Sequence, residues 1–542
     1  MNVLLIIYSG QKSDAISEVQ KKFPNCVIEL TTKSDLKMFS FKGILDFLRK
    51  EKRDAVVIFC ENILTQSQLF NLKMLGVLTK SHKKMITDKV GHVSNIYPIE
   101  TLFVGLPLYL ISSGSVFLML SLINLVLLLL NILPELGKKR VLSDVESKNK
   151  FNIAYLRTDD DTDEVGGRMA HISGFGRALV GLNHELFFVS SGKISGMDDK
   201  TMLSYIVEPF CFFNRISHEL SQVAYNIKFV YNAYSILKKH KPDILYHRYS
   251  TFNFSGTILS FLTKKPLILE FNSSALWKTE KGVKHRFKIS RFLIERLNLN
   301  WANIIVVVSA ELKRKLIRDR IDERKVIINT NGADPEFYNP AVHKKDLRSI
   351  YGINKKYLVG FAGMFGQWHG VETLVSCIKH VVHKNGETHF ILIGDGILRD
   401  KLEQIAKNDG TLNFVTFTGI IPKKEMACYL NACDILVSPH RNMADGQPFF
   451  GSPIKLFEYM AMGKPIVASK VGQLEDILEN ERNALLVPPD DPVELAKAIL
   501  RLVSDGNLGE NLGRRARIDL INNYTWEHNV KRVIEAYKNI IH

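Results

Sequence analysis

The sequence predicts an α/β protein built from doubly wound parallel sheets, and three observations support this prediction. Short apolar runs alternate with helical stretches along most of the 542 residues. The alternation starts again near Phe151 and near Tyr357, and each time it yields a complete set of strands. A long uncharged run separates the first, smaller set from the other two. The length of the whole chain, 542 residues, is sufficient for several hydrophobic cores.

The composition narrows the choice of partners. Lysine and arginine number 72 against 56 aspartate and glutamate, which gives a net charge of +16. Such an excess suits anionic lipid, nucleic acid or phosphorylated substrates. No nucleic-acid-binding motif is present, so a nucleic-acid partner is not predicted. The six cysteines are scattered, mostly in apolar runs, without CxxC or metal-binding spacing, which predicts reduced core residues in a reducing compartment.

Residues 1–92 form the first set. The strands MNVLLIIYS, CVIEL and DAVVIFC alternate with helices near Asp14–Lys22 and Lys42–Lys52, a βαβαβ-like pattern. Ser9-Gly10 stands without the further glycines of a dinucleotide fingerprint. The N-terminus lacks the basic region of a signal peptide and reads as a strand. We predict an accessory Rossmann-like domain without chemistry of its own.

Residues 101–134 contain no charged side chain. A helix that spans a bilayer needs about 20 apolar residues, so the run predicts a membrane segment with one helix and a lead-in. Pro107 and Gly114 can break it into a re-entrant piece and a longer helix. Lysines flank both sides, so charge bias does not settle the orientation. A re-entrant segment and a single span both stay open. Residues 135–150, rich in charge, are predicted to be a linker.

Two larger sets of strands follow, which predicts domains at 151–340 and 341–542. The strands of the first set are predicted in FNIAYL, HELFFVSSG, PDILYHRYS, PLILEFNSS and NIIVVVSAE. Those of the second are predicted in LVGFAGMFG, HFILIGDG, NFVTFTG, CDILVSP, KPIVAS and NALLVPP. Functional residues are expected at the carboxyl ends of such strands.

The stretch FFGSPIKLFEYMAMGKPIVAS contains a predicted helix and the strand after it. Ser452 is predicted to cap the helix and Gly463 to end it in the left-handed conformation. The amides at its N-terminus suit an anion. Glu458 offers two acceptor oxygens to a vicinal diol such as ribose, with Lys455 on the same face. An amphipathic surface helix with an ordinary Lys–Glu pair is the alternative.

Two further positions follow predicted strands of the second domain. Gly166 and Gly167 let backbone amides approach a phosphate or sugar, although a plain tight turn explains them as well. Glu270 and Asn272 stand where a strand ends, and an asparagine that caps a loop is the alternative to a substrate contact.

In order along residues 151–542, these stretches resemble the retaining glycosyltransferases of family 4. The resemblance extends to NTNGADPEFYNP, IGDGILRDKLEQIA, FTGIIPKKEM and YLNACDILVSP. It implies the GT-B fold, two Rossmann-like domains that face each other across a cleft, with the last helix packed back across the interface. Members of this family carry the pattern Glu-x7-Glu in the corresponding helix segment. Glu458 matches the second glutamate, which holds the nucleotide ribose, and Phe450 occupies the place of the first.

The resemblance also implies site residues. Asn272 and Glu270 take the catalytic positions, where many family members carry a histidine at the place of Asn272. The turn GMFGQWHG, which usually supplies an arginine and a lysine to the diphosphate, has Met364 and His369 there. Lys455 and Arg441 are the nearest candidates to replace that charge, although Arg441 fits an exposed loop arginine equally well. The donor-binding residues implied are Glu458, Lys455, His369, Gly166, Gly167, Gly394, Asp395, Gly396, Phe450, Gly451, Ser452 and Arg441.

Two charged runs have simpler explanations. The acidic run DDDTDE at 159–164 can bind a cation, but a solvated loop is favoured, since nothing else converges on it. No metal site is predicted, as is general in the family. The basic run Trp277–Arg296, interleaved with aromatic residues, fits a membrane-surface helix and a water-facing helix equally.

These observations predict a membrane-anchored, metal-independent glycosyltransferase at the cell membrane with a cytoplasmic catalytic region. It would transfer a sugar from a UDP- or GDP-linked donor, with retention, to a lipid-linked or membrane-proximal acceptor in polysaccharide or glycolipid synthesis. The nucleotide sugar is a co-substrate and no further cofactor is predicted. A catalytically inactive GT-B module that binds sugar nucleotide or a partner enzyme is the alternative. A nucleotide-sugar epimerase is a third hypothesis, and such an enzyme would not need the apolar run.

Overall fold

The computed structural model describes residues 1–37, 44, 46–48, 53–61, 63, 69–81, 83–101, 128, 148–159, 166–194, 196, 202–209, 218–274, 288–443, 446 and 448–541. Three sheets of five, seven and six strands organise these residues. All strand pairs are parallel except the last pair of the first sheet.

The first sheet has the strand order β2-β1-β3-β4-β5. Its strands are β1 (Asn2–Ile7), β2 (Val27–Thr32), β3 (Ala55–Cys60), β4 (Lys83–Asp88) and β5 (Val93–Asn95). The helices are α1 (Lys12–Lys22), α2 (Lys33–Lys37), α3 (Leu69–Val77) and α4 (Pro98–Glu100). The strands β4 and β5 and the helices α2, α3 and α4 were not predicted. The helix predicted near Lys42–Lys52 lies mostly outside the described residues. Only the last three residues of β4 are buried, so its apolar pattern is too short to detect, and parallel pairing with β3 defines it.

No helix in the described part of the chain is long and apolar enough to cross a membrane. The predicted membrane segment 101–134 lies, apart from Thr101 and Leu128, outside the described residues. Most of the predicted linker, up to residue 147, lies outside them as well.

The second sheet has the strand order β12-β11-β10-β9-β6-β7-β8. Its strands are β6 (Asn152–Arg157), β7 (Glu185–Ser190), β8 (Leu203–Ile206), β9 (Ile244–Arg248), β10 (Leu267–Glu270), β11 (Ile304–Val307) and β12 (Val326–Ile328). The helices are α5 (Gly167–Gly181), α6 (His218–His240), α7 (Ser255–Thr263), α8 (Lys288–Trp301) and α9 (Ala310–Arg318). The five predicted strands are present, and β8 and β12 extend the two edges.

Helices cover both faces of this sheet, because successive strand residues point to opposite sides. Ile153 and Tyr155 of β6 pack in a core with residues of α5 and the last helix of the chain. Ala154 and Leu156 of the same strand pack with residues of α6 and α7.

The third sheet has the strand order β15-β14-β13-β16-β17-β18, and all six predicted strands are present. They are β13 (Tyr357–Ala362), β14 (Thr388–Ile393), β15 (Val415–Gly419), β16 (Ile435–Ser438), β17 (Ile466–Ser469) and β18 (Leu485–Val487). The helices are α10 (Leu347–Tyr351), α11 (Val371–Val382), α12 (Arg399–Asn408), α13 (Lys423–Ala432), α14 (Ile454–Ala461), α15 (Gly472–Ile477), α16 (Pro492–Ser504), α17 (Gly506–Asn523) and α18 (Trp526–Ile541).

The last helix, α18, leaves the third sheet and packs on α5 beside the second sheet, as predicted. Trp526 and Tyr537 lie in the same core as Phe175 of α5. Gly174 permits this contact, since a Cβ on that residue would lie 2.4 Å from the Trp526 ring. The chain therefore ties its two large domains together at its C-terminal end.

Candidate functional site

The helix α14 begins at Ile454, after Pro453, and Ser452 does not cap it. Instead the Ser452 hydroxyl accepts a hydrogen bond from the Asn331 backbone amide at 2.9 Å. The Ser452 carbonyl accepts a second bond from the Asn331 side-chain amide at 2.5 Å. The Ser452 hydroxyl therefore holds the segment after β12, and the prediction that Ser452 caps α14 is wrong. The end of the helix is as predicted, with Gly463 in the left-handed conformation at φ +63°.

Lys455, on the first turn of α14, is a buried cation without a partner. Its side chain turns inward, and Nζ lies 3.9 Å from the centroid of the Phe361 ring. This nitrogen has no hydrogen-bonding partner in the described structure. It lies close beneath Gly363, where a Cβ would be 2.6 Å from Nζ. Burial lowers the pKa of Lys455 to about 7. An anion at this place would remove the cost of the unpaired charge.

Glu458 lies one turn further along the same helix. Its Oε1 accepts a hydrogen bond from the Tyr338 hydroxyl at 2.6 Å. Burial raises the pKa of Glu458, and the Tyr338 bond and nearby lysines oppose that rise. The ordinary Lys455–Glu458 pair that the sequence allowed is not formed. Within the described chain, Glu458 keeps Oε2 for another donor, as an acceptor for two ribose hydroxyls would.

The turn after β13 supplies no cation. Burial and the nearby charge of Lys455 lower the pKa of His369 far below its ordinary value, so this ring is neutral. Its Nδ1 lies 3.2 Å from His440 Nε2, and His440 Nδ1 lies 3.0 Å from the Ser438 hydroxyl. His369, a donor-binding residue implied by the resemblance, therefore does not supply a positive charge to the diphosphate. A neutral imidazole can still donate one hydrogen bond.

Arg441 is already neutralised by carboxylates. Its guanidinium lies 2.9 Å from Asp490 and 3.5 Å from Glu372. Of the two residues that could replace the family's missing lysine, only Lys455 forms no ion pair and no hydrogen bond in the described structure.

The turn after β14 packs directly against the turn after β13. Gly394 has φ +142°, and a Cβ there would lie 2.0 Å from the Gly363 carbonyl oxygen. The Asp395 carbonyl accepts a hydrogen bond from the Phe365 amide at 2.9 Å, and the Asp395 side chain accepts one from the Gly396 amide at 2.7 Å. The predicted residues Gly394, Asp395 and Gly396 thus share one surface with the loop above Lys455.

The N-terminus of α5 faces the N-terminus of α14. Gly166 precedes α5 with φ +132°, a conformation that favours glycine. A Cβ on Gly167 would lie 3.7 Å from the side chain of Ile454. Both helices therefore direct first-turn backbone amides, which have no partner within the helix, and the positive ends of their dipoles to the space between the two domains.

Glu270, predicted to be catalytic, is 1% exposed and surrounded by donors. It is bonded to Arg248 and lies 3.1 Å from His171 Nε2, and it accepts from Tyr155 at 3.0 Å and from Asn272 at 2.5 Å. Burial alone would raise the pKa of Glu270, but the charges of Arg248 and His171 and the hydrogen bonds lower it well below its ordinary range. Its oxygens are occupied, so it holds other groups in place.

Asn272 is half-buried and oriented by Glu270. Its amide nitrogen donates to Glu270, while its Oδ1 is buried without a partner in the described part of the chain. A side chain in this state has one acceptor left for a ligand hydroxyl.

His171 and Asn331 connect these places, and no role was predicted for them. His171 Nδ1 lies 2.6 Å from Asn331 Oδ1, and Asn331 contacts Ser452. A continuous polar chain therefore runs from Glu270 in one domain to the start of α14 in the other. The spacing of His171 is the one sequence signal for a role in this site, since it lies four residues after Gly167 on the same helix face.

Phe450 does not line the cleft in the way predicted. Phe450 is 7% exposed and packs in an apolar cluster with Leu269, Phe271 and Leu312 of the other domain. Its carbonyl accepts from the Ser309 hydroxyl at 2.7 Å. A Cβ on Gly451 would lie 2.7 Å from the Phe449 ring. An apolar contact between domains thus stands where the family has its first glutamate.

Among the described residues, no group of three or more His, Cys, Asp or Glu side chains is placed to hold a metal ion. The first residue of the acidic run, Asp159, contacts Arg157 at 2.5 Å and Arg168 at 3.2 Å. Residues 160–164 lie outside the description.

Sequence comparisons match the two large domains separately. The profile described as Glycosyltransferase Family 4 matches residues 165–337, and the profile described as Glycosyl transferases group 1 matches residues 356–505. An uncharacterised glycosyltransferase of Methanocaldococcus jannaschii is 24% identical over 387 residues, 69% of this chain and 94% of that protein. The Escherichia coli UDP-Gal:alpha-D-GlcNAc-diphosphoundecaprenol alpha-1,3-galactosyltransferase is 21% identical over 361 residues, 65% of this chain and 87% of the relative.

Solved structures show the same fold. HepE of Anabaena, in complex with UDP and glucose, superposes with a TM-score of 0.55 at 19% identity, over 71% of this chain and 99% of that chain. A glycosyltransferase of Rickettsia africae superposes with a TM-score of 0.57 at 18% identity, over 73% of this chain and 99% of the other. The two large domains therefore have the predicted GT-B architecture.

Proposed function

The chain belongs to the group 1, family 4 glycosyltransferases, and on that premise we propose that it transfers a sugar from a UDP- or GDP-linked donor with retention of configuration. The acceptor is lipid-linked or membrane-proximal, in polysaccharide or glycolipid synthesis. Residues 101–134 anchor the chain in the cell membrane, and the catalytic domains lie on the cytoplasmic side. The reaction uses no metal and no cofactor besides the nucleotide sugar.

The buried, unpaired Lys455 is the observation that supports this proposal most. It lies at the first turn of α14, whose N-terminus faces that of α5, so its ammonium group lies near the positive ends of two helix dipoles. A nucleoside diphosphate supplies the missing negative charge. The same groups stabilise the charge that develops on the diphosphate as it leaves the sugar. The amides at Gly166, Gly167, Gly451 and Ser452 complete the site, with His369 as a neutral donor.

The other residues take distinct roles in this proposal. Glu458, already bonded to Tyr338, binds the ribose hydroxyls. The turn Gly394–Gly396 lies beside the base. Glu270 is a positioning residue, because it accepts hydrogen bonds from Arg248, Tyr155 and Asn272, and the His171 ring lies 3.1 Å away. Asn272 offers its free Oδ1 to a hydroxyl of the sugar or the acceptor.

The lipid-linked acceptor has separate support. The Escherichia coli relative is named for a substrate in which the acceptor sugar is carried on diphosphoundecaprenol. The uncharged run of residues 101–134 suits a protein that works at the bilayer where such carriers reside.

A catalytically inactive module is the second candidate, because Phe450, Asn272 and Met364 replace groups that the family commonly uses. An assay of the full chain in lipid with UDP- and GDP-sugars and polyprenyl-linked acceptors separates the two. We expect one donor to be consumed and NMR of the product to show the anomeric configuration of that donor. An inverted product would exclude retention. An inactive module would bind a nucleotide, which adds about 2.7 kcal/mol of stability at 100 times Kd, without any transfer.

Replacing Glu458 with glutamine should lower the affinity for UDP or GDP by roughly tenfold to a hundredfold. The variant keeps the shape and the Tyr338 contact but loses the charge, and hydrogen bonds to an ionised partner are worth about 1.5–3 kcal/mol. Titration calorimetry measures the change. Glu425→Gln, which alters an ion-paired carboxylate of the same domain, is the control and should bind nucleotide normally. Unchanged affinity in Glu458→Gln would remove the ribose assignment.

The affinity for UDP-glucose or the matching donor should fall as the pH rises above about 7. The pKa of Lys455 is about 7 in the free protein, and a bound diphosphate raises it. Below pH 7 both states are protonated and affinity is constant. Above it, binding must take up a proton, so affinity falls by up to about tenfold per pH unit until the pKa of the complex is reached. Calorimetry at pH 8 in buffers of different ionisation enthalpy should show uptake of nearly one proton, and none in Lys455→Met.

A further inference from the structure

The layer formed by α6, α7 and α8 exposes an unusual amount of apolar surface. Six large apolar side chains on these helices are between 45% and 78% exposed. They are Ile227, Tyr231, Phe261, Leu262, Ile289 and Phe292. On the opposite face of the same sheet, the described parts of α5 and α18 expose no large apolar side chain. The exposure is therefore a property of one side of the domain.

The three helices lie next to one another. The Ser255 hydroxyl of α7 donates to Asn226 of α6 at 2.9 Å. On its other side, Thr257 donates to Asn298 of α8 at 2.9 Å. At the far end the rings of Phe261 and Trp301 have centroids 6.0 Å apart. The exposed residues consequently belong to one continuous layer, which we call the α6–α8 face.

Positive charge accompanies the apolar residues. The segments 218–240, 255–265 and 288–301 contain eight lysines and arginines but only two glutamates. One of the two, Glu295, is 5% exposed and accepts hydrogen bonds from Tyr249 and Ser274. It therefore adds no negative charge at the surface. The basic run predicted from Trp277 onward leads into α8, although residues 275–287 lie outside the description.

We propose that the α6–α8 face docks on an anionic lipid surface. A helix face binds such a surface when its apolar side chains enter the boundary between headgroups and acyl chains. Lysines and arginines beside them contact the anionic headgroups. A protein partner of the same area would not require so strong an excess of positive charge. The proposal deepens the proposed function, since it would hold the α5 side of the cleft, and its acceptor, at a constant distance from the bilayer.

The experiment uses the full chain in lipid nanodiscs, with an environment-sensitive fluorophore on one introduced cysteine. Tyr231→Cys and Phe292→Cys report on the face. Ile518→Cys on α17, which is 50% exposed, is the matched control. Cys26 and Cys428, which are half-buried, and Cys211, which lies outside the described residues, are replaced by serine beforehand. Discs of phosphatidylcholine alone are compared with discs that also contain phosphatidylglycerol, both with spin-labelled lipid as quencher.

We expect quenching at positions 231 and 292 to be at least twice that at 518, and only in the anionic discs. Each of Lys228→Glu and Lys238→Glu should reduce the equilibrium constant for this contact by fivefold or more, since one basic residue near such a surface contributes about a factor of five. Equal quenching at all three positions, or in both lipid compositions, would overturn the proposal.

Shielding of positions 231 and 292 in detergent without lipid would also overturn it, because residues 1–101 or a second copy of the chain would then cover the face. The docking result is independent of catalysis. Quenching at the face without sugar transfer would support docking on lipid and contradict the proposed function. Sugar transfer without quenching would support the proposed function and contradict docking on lipid.

Discussion

Lys455→Met should make the free protein more stable and nearly abolish donor binding. Methionine fills a similar space over Phe361 without a buried charge, so we expect a gain of roughly 1–3 kcal/mol in the free energy of unfolding. Affinity for the nucleotide sugar should fall by about a hundredfold or more, because the diphosphate loses its buried cation. Opposite effects on stability and binding are typical of a residue retained for its function.

The gain in stability should depend on pH. The folded-state pKa of Lys455 is about 7, below its ordinary value of 10.5. The charged form is the one that burial disfavours, so the penalty is complete below pH 7 and decreases as the pH rises from 7 towards 10.5. Unfolding by urea at pH 6 and pH 9 measures this, and the variant's advantage should be larger at pH 6.

Lys464→Met is the matched control for Lys455→Met. Lys464 is also largely buried, but its Nζ donates to the Asn431 carbonyl at 2.7 Å. Its loss should reduce stability, since it leaves that carbonyl unpaired, and donor affinity should be unchanged. If Lys455→Met binds the donor as tightly as the natural protein, the diphosphate site has been assigned to the wrong place.

Glu270→Gln should lower the free energy of unfolding by about 3–5 kcal/mol. The substitution leaves Arg248 and His171 buried without their carboxylate, and an uncompensated buried charge is the costly outcome of breaking such a pair. Sugar transfer should fall as well, because Asn272 and the chain from His171 to Ser452 lose their anchor. Urea unfolding and calorimetric titration of nucleotide measure the two effects separately.

The pH dependence of this difference has a definite sign. The pKa of Glu270 is lowered in the folded state from its ordinary 4.5, so the ionised carboxylate contributes stability above that value. The contribution is lost as the pH falls towards the folded-state pKa. The natural protein and Glu270→Gln should therefore converge below about pH 4.5. Glu311→Gln is the control, since its partners Arg314 and Arg318 are exposed, and it should cost less than about 1 kcal/mol. An equal loss in both variants would contradict the anchoring role.

The sequence alone determined the α/β class, the strands of the two large sheets except the edge strands β8 and β12, and the position of α14. These features arise from local apolar periodicity and from residues such as Gly463, which act within a few positions along the chain. The strand β4 was missed for the same reason, since its buried part is too short to produce a pattern and long-range pairing creates it.

Only the tertiary structure decided which charges are available in the site. Residue type made Lys455 and Arg441 the candidates for the missing positive charge, with His369 as a further donor-binding residue. Residues distant in sequence neutralise Arg441 and burial deprotonates His369, while Lys455 alone stays unpaired in the described structure. Likewise Ser452 and Phe450 hold the two domains together, through Asn331 and an apolar cluster of the other domain. Burial and partner charges are set by contacts between segments that are far apart in the chain, and the local sequence does not encode them.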